Sequence, residues 1–281
     1  MSATASDREA PVFGLIIIGD EILSGRRSDK HLAKCIEVLA ARGQTLAWAQ
    51  YVGDEPTRIT AVLRQAFASG DAVFCTGGIG ATPDDHTRQC AAAALDVPLA
   101  LHPEAKALID ARMQEMAREK GTPWQPDHPD HQRRLQMAML PTGARLIPNS
   151  YNRIPGFTCN GPGGGAVHFM PGFPVMAWPM MEWVLAREYA GRLTQGPGWL
   201  ERSVIVFGAM EARLTPVMER VEAAHPQVKV FSLPSVDHPE HGPHIDLGVK
   251  GPPQAVQAAY ADMRAWLLPL KRTYGAEITR P

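Results

Sequence analysis

Along the first third of the chain, apolar positions fall in blocks whose period changes from one block to the next. Residues 12–18 (VFGLIII) form a continuous apolar run closed by Gly19, the pattern of a strand buried on both faces. Leu32, Cys35, Ile36 and Leu39 then recur at helical spacing, with Asp29 as a candidate cap and Gly43 just past the end. Residues 46–52 read as a second strand. Asp54 is placed to cap the next helix, which has Pro56 in its first turn, Ile59, Leu63 and Phe67 facing inward, and Gly70 closing it. Residues 72–75 give a third strand and residues 85–95 a third helix. Strands and helices alternating at this spacing predict right-handed crossovers and a parallel sheet.

The signal thins beyond Pro98. A helix is expected over 103–119, a polar, proline-bearing loop over 121–130 and a short helix over 132–139. Residues 144–147 and 167–170 read as strands around a loop that contains GPGGG at 161–165. No helix follows that glycine run, so a hairpin turn is its simplest reading, ahead of a phosphate loop. Near Gly196 the composition changes. Strands over 203–207, 228–233 and 245–249, with helices over 211–224 and 254–267, suggest a small ferredoxin-like α+β unit behind a GPG linker at 196–198. The expected domains are therefore residues 12–193 and 199–281.

Composition narrows the function classes. The 281 residues hold 28 Lys and Arg against 29 Asp and Glu, a net charge of −1, with 45% hydrophobic residues. That balance leaves no electrostatic footprint for nucleic acid or an anionic membrane. The longest apolar runs stay under about ten residues, too short to span a bilayer, and residues 1–11 lack the apolar stretch of a signal peptide. Cys35, Cys75, Cys90 and Cys159 stand singly in largely apolar segments, which points to reduced, buried thiols and a cytoplasmic location.

The candidate chemistry centres on TGGIGATPDDHT, residues 76–87, where a strand gives way to a helix. Glycines there let backbone N–H groups approach an anion, and the helix start adds unpaired donors. Asp84 and Asp85 would repel a bare phosphate, so a bridging divalent cation or proton chemistry is the natural complement. As helix N-terminal acids they are worth ~0.3–1 kcal/mol, and that role needs only one of them. In parallel sheets ligands bind at the carboxyl ends of strands, where the strand order reverses. An order 2-1-3 would set GDEILSG, residues 19–25, across a crevice from the glycine loop, with Asp54 opening on the same edge. Asp20 and Glu21 suit either a cap and a solvated face or a ligand hydroxyl and a Mg²⁺-type cation, with Ser24 and Gly25 adding a hydroxyl and a close backbone approach. His238, His241 and His244, beside Glu240 and Asp246, read as a solvated loop or as zinc ligands. His128 and His131 carry the same alternatives. Trp124, Trp178, Trp183 and Trp199 are read as packing residues.

At these residues the chain resembles the molybdopterin-binding (MoaB/Mog-type) family, and most of all the amino-terminal domain of the competence/damage-inducible protein A (CinA) group. GDEILSG and TGGIGATPDDHT match that group's GDExLxG and TGGxGxTxDDxT, and VGDEPTRI (residues 52–59) matches VxDxxxxI. PNSYNRIPGF (148–157) and PGFP (171–174) fall where the group has NPxGTAPGF and PGVPxEM. The likeness covers roughly 12–193, and the later α+β region is similar to the small domain that follows in that group. The resemblance implies a three-layer α/β/α domain with a mostly parallel sheet, whose crevice binds molybdopterin, an adenylylated pterin or another nucleotide pyrophosphate. It also implies metal-dependent hydrolysis of ADP-ribose-like pyrophosphates, molybdenum-cofactor biosynthesis activity, or a non-catalytic carrier or sensor, and a homo-oligomer. Asp54 and Asp85 align with the family's acidic functional pair. Asp20, Glu21, Ser24, Gly25, Thr76, Gly77, Gly78, Gly80, Thr82, Pro171 and Gly172 line the implied ligand site, and Asp84 and Asp85 are the implied Mg²⁺-type ligands. The chain departs from the family pattern at Ala81 (usually proline), His31 (often asparagine), Asn152-Arg153-Ile154 (Gly-Thr-Ala) and Met176 (glutamate). Asn152 tolerates the left-handed conformation a glycine would supply, and Arg153 offers a phosphate contact.

Overall fold

The computed structural model describes residues 11–193 and 199–280, so the GPG linker at 196–198 and the first ten residues lie outside the described chain. The chain divides into two compact units; the first runs to Leu193 but leaves Ala40–Gln44 to the second. Its elements begin with β1 (Phe13–Ile18), a single turn α1 (Asp20–Leu23), α2 (His31–Ala40), β2 (Leu46–Val52), α3 (Pro56–Ser69) and β3 (Ala72–Thr76). They continue with α4 (Thr87–Leu95), β4 (Leu99–Leu101), α5 (Pro103–Glu119), α6 (Pro129–Leu135) and β5 (Met139–Pro141). The unit closes with β6 (Arg145–Ile147), β7 (Gly156–Asn160), β8 (Ala166–Met170) and α7 (Pro174–Glu188).

Six strands form one sheet in the order β2-β1-β3-β8-β7-β6. β1, β2, β3 and β8 run parallel, and β7 and β6 are added antiparallel to their neighbours. The order 2-1-3, the condition for the two loops to face each other, is therefore met, and the strand order reverses at β1, between β2 and β3. Successive residues of β1 face opposite sides. Ile16 and Ile18 pack with Leu63, Phe67 and Ile109 on one face. Phe13, Leu15 and Ile17 pack with Cys35, Leu39 and Leu185 on the other. Each such fully buried side chain stabilises the fold by roughly 1.5–3 kcal/mol, and two buried faces make this a three-layer α/β/α domain.

Several local expectations needed correction. The helix expected to start at residue 85 starts at Thr87, and the one expected at 132 starts at Pro129. Asp29 does cap α2, accepting from the N–H groups of His31 (2.8 Å) and Leu32 (3.1 Å). Asp54 does not cap α3. Glu55 takes that role, its carboxylate accepting from Thr57 and Arg58 N–H at 2.9 Å each, which leaves the Asp54 side chain for other partners. The GPGGG run is a hairpin turn, joining β7 to β8. It lies flat on the end of α3, where a Cβ on Gly161 would stand 2.2 Å from the Phe67 carbonyl oxygen and one on Gly165 2.2 Å from that of Asp71. β7 and α7 were not anticipated. GFTCN is short and half polar, and α7 is apolar on most faces with Pro179 inside it, so neither shows a clean period.

The second unit comprises β9 (Leu200–Phe207), α8 (Glu211–Ala224), β10 (Lys229–Ser235), β11 (His244–Gly251), α9 (Pro253–Leu267) and β12 (Thr273–Arg280). Its antiparallel sheet has the order β10-β11-β9-β12, which with the βαββαβ sequence is the ferredoxin-like arrangement. Val204, Val206, Leu247 and Val249 pack against Leu214 and Val221 of α8 and Val256 and Met263 of α9. All four cysteines are buried and free. Burial pushes the thiols of Cys35 and Cys159 up to about 12, so both stay protonated. Among the described residues no helix is long and apolar enough to cross a membrane.

Candidate functional site

Three loops leave the carboxyl ends of β1, β2 and β3 and are tied to one another. The Gly19 N–H donates to the Val52 carbonyl (3.0 Å), joining the first two. The Asp20 N–H donates to Asp54 Oδ2 (2.9 Å) and the Asp54 N–H donates back to Asp20 Oδ1 (3.2 Å). Each carboxylate thus holds the other's backbone, at roughly 1.5–3 kcal/mol per charge-assisted hydrogen bond. The third loop is pressed against the first at Gly77. Its φ is +101°, and a Cβ there would lie 2.1 Å from the Ile18 carbonyl oxygen, so only glycine fits.

Two cavities open along this edge. The first, about 370 Å³, has a rim formed by residues 78–82 and Asp85, and apolar walls that include Met137, Ile154, Pro155, Phe173 and Met176. Among the described residues, the backbone N–H groups of Gly78, Ile79, Gly80 and Ala81 find no protein acceptor. Four consecutive free donors on a glycine loop form a concave anion cradle. Asp85 is fixed at its end: Oδ2 accepts from the Thr82 N–H (2.8 Å) and from the Thr82 hydroxyl. Behind it the Arg88 side chain is almost completely buried, with Nη1 lacking a partner; burial lowers its pKa and the Asp85 charge opposes that.

The second cavity, about 470 Å³, is lined by Asp20, Glu21, Arg26, Arg27, Asp54 and Asp84. Burial raises the Asp54 pKa, and the like charges of Asp20, Glu21 and Asp84 raise it further against the Asp20 N–H. Asp84 shifts the other way, lowered chiefly by the Thr82 hydroxyl and its own backbone N–H. Four of its six lining side chains are carboxylates, the oxygen donors a hard cation such as Mg²⁺ prefers, and the guanidiniums of Arg26 and Arg27 share the lining with them. Among the described residues no three His, Cys, Asp or Glu side chains are gathered closely enough to hold an ion by themselves.

The first unit, carrying both cavities, matches the family model described as a probable molybdopterin binding domain over residues 14–190. The chain belongs to the molybdopterin-binding-domain family. A CinA-like protein of Citrifermentans bemidjiense is 33% identical over 205 residues, 73% of this chain but 46% of that protein. Against that relative the chain spans about half the length. A Pyrobaculum aerophilum protein, PAE0875, is 30% identical over 265 residues, covering 92% of this chain and 94% of its own length. Among solved structures, CinA of Thermoplasma acidophilum, of unknown function, is similar at 27% identity with a TM-score of 0.52, over 62% of this chain and 96% of that one.

Within the molybdopterin-binding domain the expected site residues are brought together unevenly. Gly78, Gly80, Thr82, Asp85, Pro171 and Gly172 line the first cavity, and Asp20, Glu21, Asp54 and Asp84 the second. Asp84 and Asp85, adjacent in sequence, therefore face different cavities. Ser24, Gly25, Thr76 and Gly77 line neither. Thr76 is buried with an unpartnered hydroxyl, and Gly77 serves the loop-to-loop contact. At the departures from the family pattern, Arg153, not Asn152, takes the left-handed conformation (φ 65°), and its guanidinium pairs with Glu115 at 3.5 Å instead of lining the cavity. Asn152 is spent on the loop: Oδ1 accepts from the Ile154 N–H at 3.0 Å and from Asn149 Nδ2 at 2.8 Å. His31 Nε2 donates to the Gly172 carbonyl (3.1 Å), bracing the PGFP turn.

The apolar walls were missed from sequence. Met137 and Ile154 lie far from the glycine loop along the chain, and nothing in their local pattern separates a cavity wall from core. In the second unit, His238, His241 and His244 do gather, with ring centroids 4.7–5.6 Å apart. His238 and His241 are stacked at 12°, and His238 Nδ1 already accepts the Glu240 and His241 N–H groups. His131 is instead bound to Asp110 (2.9 Å), with Trp124 edge-on to it.

Proposed function

We propose that this protein binds a phosphorylated pterin or nucleotide across the two cavities and, with a divalent cation, hydrolyses a pyrophosphate. The observation that carries the reading is the juxtaposition of four unpaired backbone donors with a set of carboxylates on the adjoining loops. The cradle suits a phosphate, and Asp54, held among Asp20, Glu21 and Asp84, is relieved by a cation. When bound, that cation would be held by Asp54 and Asp84, with Asp85 acting from the rim of the neighbouring cavity, and would supply charge neutralisation at the pyrophosphate and a more acidic water. The chain's own residues position and orient. Residues 78–81 fix the phosphate, Thr82 holds Asp85 in one rotamer, and the Asp20–Asp54 pair sets the spacing of the acidic loops.

The test is phosphate release from ADP-ribose in Mg²⁺, Mn²⁺ or Co²⁺ with a coupled phosphatase. Asp85→Asn, which keeps both Thr82 contacts sterically possible, should lose at least about 100-fold in turnover with an unchanged unfolding midpoint. Unchanged turnover in the variant removes Asp85 from the mechanism. A second reading, a non-catalytic carrier or sensor of molybdopterin or a nucleotide, is favoured by Met176: its sulfur stands on the cavity wall, 3.4 Å from Asn152 Nδ2, where the family resemblance expects a carboxylate. Binding without turnover in any of the three metals selects it. The proposal places the protein in the cytoplasm as a homo-oligomer, and sedimentation velocity measures the latter.

A further inference from the structure

Arg27 lines one cavity and neighbours a wall residue of the other. It lines the acidic one, and its guanidinium carbon lies 5.9 Å from the ring centroid of Phe173, a wall residue of the apolar one. Its nearest carboxylate, Glu21, is 3.9 Å away, a long contact between half-exposed groups. Arg26 is engaged differently, its Nε donating to Ser24 Oγ at 3.2 Å. The edge therefore holds an apolar ring-sized cavity rimmed by free N–H donors and, beside its Phe173 wall, a loosely paired guanidinium among carboxylates.

We infer that Arg27 measures the length of the phosphate chain, selecting ligands with an uncharged planar ring and two linked phosphates over those with one. This deepens the function proposed above and rests on it. The ring would pack on Phe173, Met176 and Ile154, and the proximal phosphate would take the cradle at residues 78–81. The distal phosphate would meet Arg27, whose planar fork matches its oxygens. A monophosphate ends before that contact. Phe173 holds the guanidinium by stacking while leaving its edge N–H groups free, which a carboxylate partner at full hydrogen-bonding distance would not. The acidic neighbours make the contact selective: an anion entering without its cation is repelled by Asp20, Glu21 and Asp84, so the distal phosphate arrives as a cation complex.

The test compares ADP, AMP and adenosine in Mg²⁺ by calorimetry on the full chain. The native protein should bind ADP more tightly than AMP. Arg27→Gln should weaken ADP about tenfold and AMP and adenosine less than about twofold. Phe173→Leu, which keeps an apolar wall but removes the ring under the guanidinium, should lower the ADP preference by about threefold. Arg26→Gln controls for charge alone and should preserve the preference. Equal losses for ADP and AMP in Arg27→Gln, or the same loss of preference in Arg26→Gln, overturn the assignment to Arg27 while leaving the proposed site standing. A native protein that binds ADP and AMP equally also overturns it. A native protein that binds none of the three overturns this inference together with the nucleotide form of the proposed function on which it rests.

Discussion

His168 is fully buried, bonded through Nδ1 to the Thr158 hydroxyl (2.9 Å) and through Nε2 to the Tyr189 hydroxyl (2.8 Å). Burial drives its pKa down to about 3, with the Arg145 charge adding to the shift. An unfolded histidine titrates near 6.5, so between these values the unfolded chain binds the extra proton. The contribution is complete above pH 6.5 and is lost as pH falls toward 3, at about 1.4 kcal/mol per pH unit. Replacing His168 with Gln, which keeps a donor and an acceptor, should flatten the pH dependence of the urea midpoint between pH 4 and 6; an unchanged slope would assign it to other groups. Nothing in AVHFM marks this histidine as different from a solvated one, because its two partners come from β7 and from the residue that ends α7, the elements with the weakest patterns. Asp85 was legible for the opposite reason. Its contacts lie within residues 76–87, where local sequence and local structure coincide.

The crossover helices α2 and α3 were readable as elements because each has one dominant period and a glycine just past its end, with Gly70 in the left-handed conformation at φ 82° as the clearest stop; α4 ends instead on Asp96, itself left-handed at φ 56°. What the pattern did not resolve was which of two adjacent acids caps α3. The answer separates structure from function. Glu55→Ala removes the acceptor for two helix N–H groups and should lower the denaturant midpoint with ligand affinity unchanged. Asp54→Asn retains an oxygen for the Asp20 N–H and should leave stability within about 0.5 kcal/mol while abolishing metal-dependent turnover. Denaturant titration and the ADP-ribose assay, run on both variants, read the two effects apart. If Glu55→Ala reduced turnover as much as Asp54→Asn, cap and site would not be separable.

On the scale of the molecule, both cavities are lined wholly by residues before Leu193, and each unit has a core of its own. A fragment ending at residue 193 should therefore fold cooperatively and bind ADP within about threefold of the full chain. Loss of binding in a folded fragment would give the second unit a part in the site. The division itself was visible in the sequence as a change of composition and element order. The ferredoxin-like unit was legible in both helices and three of its four strands and incomplete in the last, since TYGAEITR in β12 alternates too weakly to stand out from the chain around it.

The hairpin at 161–165 holds the densest glycine run in the protein, yet the chain it approaches is its own. For anyone engineering this molecule, the turn is exposed and polar, the kind of place where a tag or a reporter is usually inserted. Its glycines, however, rest against the backbone of residues 67–71. An insertion there would part the end of α3 from the sheet and register as lost expression, while the glycine loop at 76–87, at the far end of the same strands, stayed intact in sequence.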